Sequence, residues 1–246
     1  MNDANKNSDD ASVIVALDYP DAKSAMTLVD KLEPSLCKLK VGKELFTAEG
    51  PAFIRDLVKK DFKVFLDLKF HDIPNTVASA CAVAADLGVW MMNVHASGGR
   101  KMMETASNRL ASFSHRPLLI GVTILTSLSE QEINEIGYSG TPEENVIRLA
   151  SLAESSGLDG IVCSPLEASP VRRELSDNFL LVTPGVRPSF ASTDDQKRIM
   201  TPSDALKAGA NYLVIGRPIT AAEDPLKNLM LINEEITALN LSLIHI

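Results

Sequence analysis

The stretch Val13-Ile14-Val15-Ala16-Leu17-Asp18-Tyr19-Pro20 decides between two folds. It is an apolar, β-branched run that stops on an aspartate and a proline, with no glycine in the turn that follows. A doubly wound nucleotide-binding sheet would place a Gly-x-Gly-x-x-Gly turn after its first strand, so that backbone could approach a pyrophosphate. None is present here. Working outward, similar short runs recur at residues 13–17, 36–41, 63–68, 90–95, 118–125, 160–164, 179–183 and 212–215. Amphipathic stretches lie between them at 21–32, 51–60, 74–87, 101–110, 143–155, 165–175, 202–208 and 225–239. Several of these begin with a proline, which suits a first helical turn, and Gly88, Gly157 and Gly209 follow three of them where a helix-ending glycine belongs. Eight strands alternating with helices imply parallel βαβ units. Without the glycine-rich turn, the pattern predicts a closed (β/α)8 TIM barrel of the α/β class, a single domain over 12–240.

Composition sets the outer bounds. The chain has 246 residues, 45% of them hydrophobic and 23% charged, with a formal net charge of −8. Sequence-independent nucleic-acid binding needs a basic surface, so no nucleic-acid partner is expected. An anionic ligand must therefore meet a local cluster of cations. The three cysteines, Cys37, Cys81 and Cys163, are far apart and sit in apolar runs, as reduced core thiols of a cytoplasmic protein do. No run approaches the roughly 20 apolar residues of a membrane span, and no membrane partner is expected. Residues 1–11 are polar, lack the apolar core of a signal peptide and read as a disordered N-terminal tail.

In a barrel of this kind the active site forms where the strands end at their C-termini. Read there, the runs end on Asp18, on Lys40, on Asp67 and Lys69, on His95, at Thr126-Ser127, at Pro184-Gly185-Val186-Arg187 and at Gly216-Arg217. Packing gives no reason for charges to recur at these points. The third run is the most informative. In Phe65-Leu66-Asp67-Leu68-Lys69 alternate residues share a face, so Leu66 and Leu68 turn to the helices while Phe65, Asp67 and Lys69 turn to the axis. With Asp72 following, an Asp-x-Lys-x-x-Asp array holds Lys69 between carboxylates and keeps it protonated. It is then a proton donor or an electrostatic clamp. A structural salt bridge is the plainer alternative. Gly216-Arg217 has the form of a phosphate site, glycine for close backbone approach and arginine for bidentate contact. The long segment 184–201 carries Arg187, Gln196, Lys197 and Arg198 and could close over an anion; it could also be a long solvated loop.

Other features are read more plainly. His71 and His95 do not have metal-ligand spacing, and no metal site is expected. Met91, Met92, Met102 and Met103 read as core. Ser97-Gly98-Gly99 reads as a turn and cap, and Asp194-Asp195 as a solvated loop face.

Several blocks together resemble one family. Phe65-Leu66-Asp67-Leu68-Lys69-Phe70-His71-Asp72-Ile73-Pro74-Asn75-Thr76 is similar to the signature of the orotidine 5′-monophosphate decarboxylases, in their bacterial form. Val15-Ala16-Leu17-Asp18, Leu39-Lys40-Val41-Gly42, Asn93-Val94-His95-Ala96, Leu125-Thr126-Ser127, Thr183-Pro184-Gly185-Val186-Arg187-Pro188 and Ile215-Gly216-Arg217-Pro218 match as well, in order, over roughly 13–233. The resemblance implies decarboxylation of orotidine 5′-monophosphate to uridine 5′-monophosphate, the last step of de novo pyrimidine biosynthesis, without a cofactor. It implies Lys69 as proton donor to C6, Asp67 against the substrate carboxylate, and Lys40, Asp67, Lys69 and Asp72 as an alternating charge array. Asp18 and Lys40 would hold the ribose, Thr126 and Ser127 the pyrimidine, and Arg187, Gln196, Gly216 and Arg217 the phosphate region under a lid. It implies a homodimer with shared active sites, Asp72 and Thr76 reaching into the partner's. A magnesium-dependent sugar-phosphate decarboxylase or aldolase of the same barrel group is the alternative. It would want an acidic metal ligand where this chain has Lys40. Residues 241–246 match nothing in the family and are expected to be a non-native tail, read through from an adaptor sequence.

Overall fold

In the computed structural model, which describes residues 11–190 and 200–243, eight parallel strands close into one barrel in chain order. They are β1 (Val13–Leu17), β2 (Lys38–Gly42), β3 (Val64–Phe70), β4 (Met91–His95), β5 (Leu118–Val122), β6 (Gly160–Val162), β7 (Leu180–Pro184) and β8 (Tyr212–Ile215). The ring is sealed by β1 against β8, with Val13 opposite Leu213 and Val15 opposite Ile215. Around it run α1 (Ala22–Val29), α2 (Lys43–Lys59), α3 (Pro74–Asp86), α4 (Arg100–Leu110), α5 (Glu130–Glu135), α6 (Pro142–Ser155), α7 (Pro165–Glu174), α8 (Pro202–Lys207), α9 (Arg217–Thr220) and α10 (Pro225–Leu243). No described helix is long and apolar enough to cross a membrane.

Period-two alternation sorts the strand side chains into two cores. Val13, Val15 and Leu17 of β1, with Leu39, Val41, Leu66, Met92 and Val94, pack outward against the helices. Ile14, Phe65, Met91, Ile120 and Val182 fill the interior. Strands buried on both faces read as near-continuous apolar runs, which is why β1 is buried throughout. Met91, Met92, Met102 and Met103 are all core residues, and Cys37, Cys81 and Cys163 are buried, unpaired thiols. At the N-terminal end of the barrel Lys38 is almost fully buried. Its ammonium lies 5.1 Å from the Trp90 ring centre and 5.0 Å from that of Tyr212, and it donates to the Ala11 carbonyl.

The helix signals mark real boundaries. Proline occupies the first turn of α3, α6, α7, α8 and α9. Gly88, Gly157 and Gly209 end helices at φ 83°, 79° and 107°, where a side chain would be strained. The departures have local causes. Helix α2 begins at Lys43, eight residues before Pro51, because Gly50 at φ 67° kinks the backbone and two helical turns precede the kink. Strand β5 stops at Val122, and the residues up to Leu125 leave the ladder. The short helices α5 and α9 lie where only loops were expected. Residues 1–10, most of the expected N-terminal tail, and 244–246 lie outside the described residues, while 241–243 fall in α10.

Candidate active site

The charged residues at the strand ends meet at the C-terminal mouth of the barrel. Lys40 on β2 places its Nζ 3.1 Å from Asp18 Oδ1 and 3.5 Å from Asp67 Oδ2. Lys69 Nζ lies 2.6 Å from Asp67 Oδ1. The register accounts for the meeting: Lys40 stands opposite Ala16 on β1 and Phe65 on β3, two residues before Asp18 and Asp67. Burial raises the proton affinity of the Asp67 carboxyl, but Lys40, Lys69 and hydrogen bonds from Lys69 and Asn93 outweigh it and hold it below the usual carboxylate range. Asp67 is therefore a carboxylate at neutral pH, within ion-pair distance of both Lys40 and Lys69.

Lys69 is held in an unusual backbone conformation. It sits at φ 54° and is not glycine, a left-handed geometry that costs an ordinary residue roughly 1–2 kcal/mol. Opposite it the β3–β4 register slips: Leu66 pairs with Met92, yet Phe70 pairs with Val94. The Lys69 N–H donates to Asn93 Oδ1 at 2.8 Å, and Asn93 Nδ2 donates to Asp67 Oδ1 at 2.7 Å. Asn93 is fully buried. It belongs to a matched motif, but sequence reasoning assigned it no role. The available signal was a polar side chain on β4 with the same parity as His95, which makes both inward-facing.

A cavity of about 190 Å³ opens above these groups. One wall is Lys40, Asp67 and Lys69; the others are Phe65, Val122, Ile124, Leu125, Thr126, Val162, Pro184 and Val214. It is charged on one side and apolar on the other, which suits a flat ring carrying an acidic group. Thr126 lines it, and Ser127 is exposed beside Thr126. The rings of His71 and His95 meet at 5.4 Å between centres, tilted by 41°. Burial, and then His71, Lys43 and Lys69, keep His95 below the ordinary histidine value.

The remaining expected residues are arranged around this centre. Arg217 opens α9 directly after Gly216, and Arg187, nearly buried, follows β7, whose neighbour is β8. A Cβ on Gly216 would meet only the Ala16 Cβ, at 3.9 Å, among the described residues. Packing therefore does not require a glycine there, and the space over its backbone is left open. The ends of the 184–201 segment are pinned by a bridge from Val186 to Met200, the Arg187 N–H donating to the Met200 carbonyl at 3.0 Å. Gln196 lies outside the described residues. Asp72 and Thr76 are exposed at the start of α3, apart from the array: Asp72 accepts from the Ile73 N–H at 2.6 Å, and Lys69 pairs with Asp67. Among the described residues no three His, Cys, Asp or Glu side chains come together as a metal set.

Comparison with known proteins agrees with the barrel fold and gives the family. The profile described as "Orotidine 5'-phosphate decarboxylase / HUMPS family" matches residues 11–232. An orotidine 5′-phosphate decarboxylase of Hydrogenovibrio crunogenus is 59% identical over 227 residues, covering 92% of this chain and 96% of the relative. One from Neisseria meningitidis serogroup C is 58% identical over 222 residues, 90% of each chain. Among solved structures, orotidine 5′-phosphate decarboxylase from Lactobacillus acidophilus superposes with a TM-score of 0.84 at 39% identity, covering 92% of this chain and 99% of that one. The chain belongs to the orotidine 5′-phosphate decarboxylase / HUMPS family.

Proposed function

We propose that this chain decarboxylates orotidine 5′-monophosphate to uridine 5′-monophosphate, in the cytoplasm and without metal or cofactor. The observation that carries the proposal is the Lys40–Asp67–Lys69 array at the wall of a cavity sized for one pyrimidine ring. Asp67 faces the C6 carboxylate, Asp18 and Lys40 hold the ribose, and Thr126 and Ser127 meet the pyrimidine edge. Arg217, Arg187 and the Gly216 backbone take the phosphate, with Gln196 assigned to the same region. The C6–carboxylate bond breaks, CO2 departs, and its electron pair stays on C6. The Lys69 ammonium stabilises that pair and then gives it a proton, leaving a neutral amine that water reprotonates. Affinity for the remote phosphate is used to lower the barrier at C6.

A magnesium-dependent sugar-phosphate enzyme of the same barrel group is disfavoured by Lys40. Its ammonium fills the space between Asp18 and Asp67, where such an enzyme would seat a divalent ion. The test is incubation with orotidine 5′-monophosphate after exhaustive chelation, following loss of the orotate ultraviolet absorbance. Turnover within about twofold of the untreated enzyme is expected, well inside the tenfold that corresponds to 1.4 kcal/mol. No turnover, or turnover only on adding magnesium, overturns the reading.

We further propose that the enzyme is a two-fold homodimer whose sites are shared. Supporting this, Asp72 and Thr76 are exposed beside Ile73, itself 68% exposed, and Val83, 59% exposed, on α3. In the dimer Asp72 and Thr76 complete the partner's charge array. Lys69→Ala and Asp72→Ala are each expected to be inactive, yet remixing them leaves one intact site in each mixed dimer. Since about half the dimers are then mixed, about a quarter of native activity should return. No recovery despite demonstrated subunit exchange overturns the shared site.

A further inference from the structure

We propose that Asn93 is the positioning residue of the charge array, one carboxamide setting both the backbone of Lys69 and the carboxylate of Asp67. The inference rests on the reading of Lys69 as proton donor. Strands β3 and β4 run in register at Phe65–Met91 and Leu66–Met92 and resume at Phe70–Val94, so four steps on β3 face two on β4. The surplus falls on Asp67, Leu68 and Lys69, the segment that carries the chemistry. A bulge of this kind re-aims side chains but breaks the ladder. In place of a backbone carbonyl, Asn93 Oδ1 accepts the Lys69 N–H at 2.8 Å and steadies its left-handed conformation. The other half of the same amide donates at 2.7 Å to Asp67 Oδ1, the oxygen that also accepts from Lys69 Nζ at 2.6 Å.

The partners dictate which way the amide points. A backbone N–H can only donate, and an ionised carboxylate can only accept. Asparagine is the neutral side chain of this length that answers both at once. Aspartate has its shape but only acceptors, and alanine has neither group. At 0% exposure no water replaces what is lost. Asn93 touches no reacting atom; it acts through Lys69 and Asp67.

The isosteric Asn93→Asp variant supplies the test. It keeps the acceptor for Lys69 but sets a second carboxylate against Asp67. Two carboxylates that close share a proton, and the pair titrates at a raised value. Once protonated, the pair has its donor back. The other titratable groups around it are Lys40 on β2, Lys69 on β3, His95 on β4, His71 and Lys43. All are common to variant and parent, so the ratio of their kcat values isolates the new pair. From pH 8 to pH 5.5 that ratio is expected to rise about tenfold or more, with KM within about threefold. Asn93→Ala, which cannot titrate, is expected to lose about 100-fold in kcat with no such rise, the scale of a misplaced catalytic group.

A flat ratio for Asn93→Asp, or kcat losses that only follow the folded fraction by circular dichroism, overturns the proposal. So does failure of both variants to fold, because the role assigned is in turnover. The underlying reading fails separately, if Lys69→Ala turns over orotidine 5′-monophosphate in the same assay.

Discussion

Lys38 and Lys40 stand two residues apart on β2, both on its inward face and both nearly buried, in opposite surroundings. Lys38, at the N-terminal end, lies against the Trp90 and Tyr212 rings and donates to the Ala11 carbonyl. Lys40, one layer up, lies between the carboxylates of Asp18 and Asp67. Aromatic faces and a carbonyl close the floor. Carboxylates at the mouth make an alternating field into which a charged substrate fits. The difference separates stability from function within one strand: in this fold the N-terminal face supports the barrel and the C-terminal face does chemistry.

Exchanging the two lysines for methionine breaks the comparison most forcefully. Lys40→Met is expected to lower kcat/KM by about 1000-fold, the upper range for losing one preorganised charge. Its melting temperature should change little, since Asp67 keeps Lys69 and Asn93 as partners. Lys38→Met should stay within about threefold in kcat/KM and lose roughly 1–2 kcal/mol of stability. At about 2–4 °C per kcal/mol for a chain of this size, the melting temperature falls by several degrees. Steady-state kinetics and thermal melts on both variants decide it; crossed results contradict the division.

Next in size is the phosphate end. Arg217→Ala is expected to raise KM and lower kcat, each about tenfold or more, because affinity for a remote group is used at C6. A rise in KM alone shows that the phosphate site only captures substrate.

Acid titration sharpens the contrast more gently. Asp67 lies below the usual carboxylate range, so its contribution to stability is complete above the unfolded value, about 3.9, and is lost as pH falls through its folded value. In Lys40→Met one opposing cation is gone, the depression of Asp67 shrinks, and the stability lost on acidification should be smaller; in Lys38→Met that loss should keep its size.

The smallest effect belongs to His95. Its folded value is depressed, so the unfolded chain binds the proton first. Its share of stability is full above the ordinary value of 6.5, declines as pH drops through that value, and levels off below the folded one. His95→Asn should remove this shallow slope from denaturant titrations at several pH values; an unchanged slope contradicts the assignment.

Much of this was readable in the sequence, for identifiable reasons. A parallel barrel buries both faces of its strands, so each strand declares itself as an apolar run ending on the residues that line the mouth. Asp18, Lys40, Asp67, Lys69 and Thr126 were found that way. Period-two parity correctly placed Phe65, Asp67 and Lys69 on one side of β3. What parity could not show is how Lys69 is held. The bulge is a relation between β3 and β4, and the left-handed backbone at Lys69 carries no glycine to announce it. For the same reason Asn93 looked like one more residue of a strand. Lys38 gave no signal as a plug, because its partners Trp90 and Tyr212 come from β8 and the approach to β4. The start of α2 was hidden behind Gly50-Pro51, which reads as a break although only a kink occurs there.

The central claim is that the ammonium of Lys69 carries the decarboxylation. Its most direct test is Lys69→Ala with orotidine 5′-monophosphate, kcat read from ultraviolet absorbance and nucleotide affinity from calorimetry on the same preparation. The account expects kcat to fall by at least about 1000-fold with nucleotide affinity within about tenfold, since the cation matters most once C6 is negative. A variant whose kcat stays within tenfold of the parent, about 1.4 kcal/mol, would remove Lys69 from the chemistry and contradict the account.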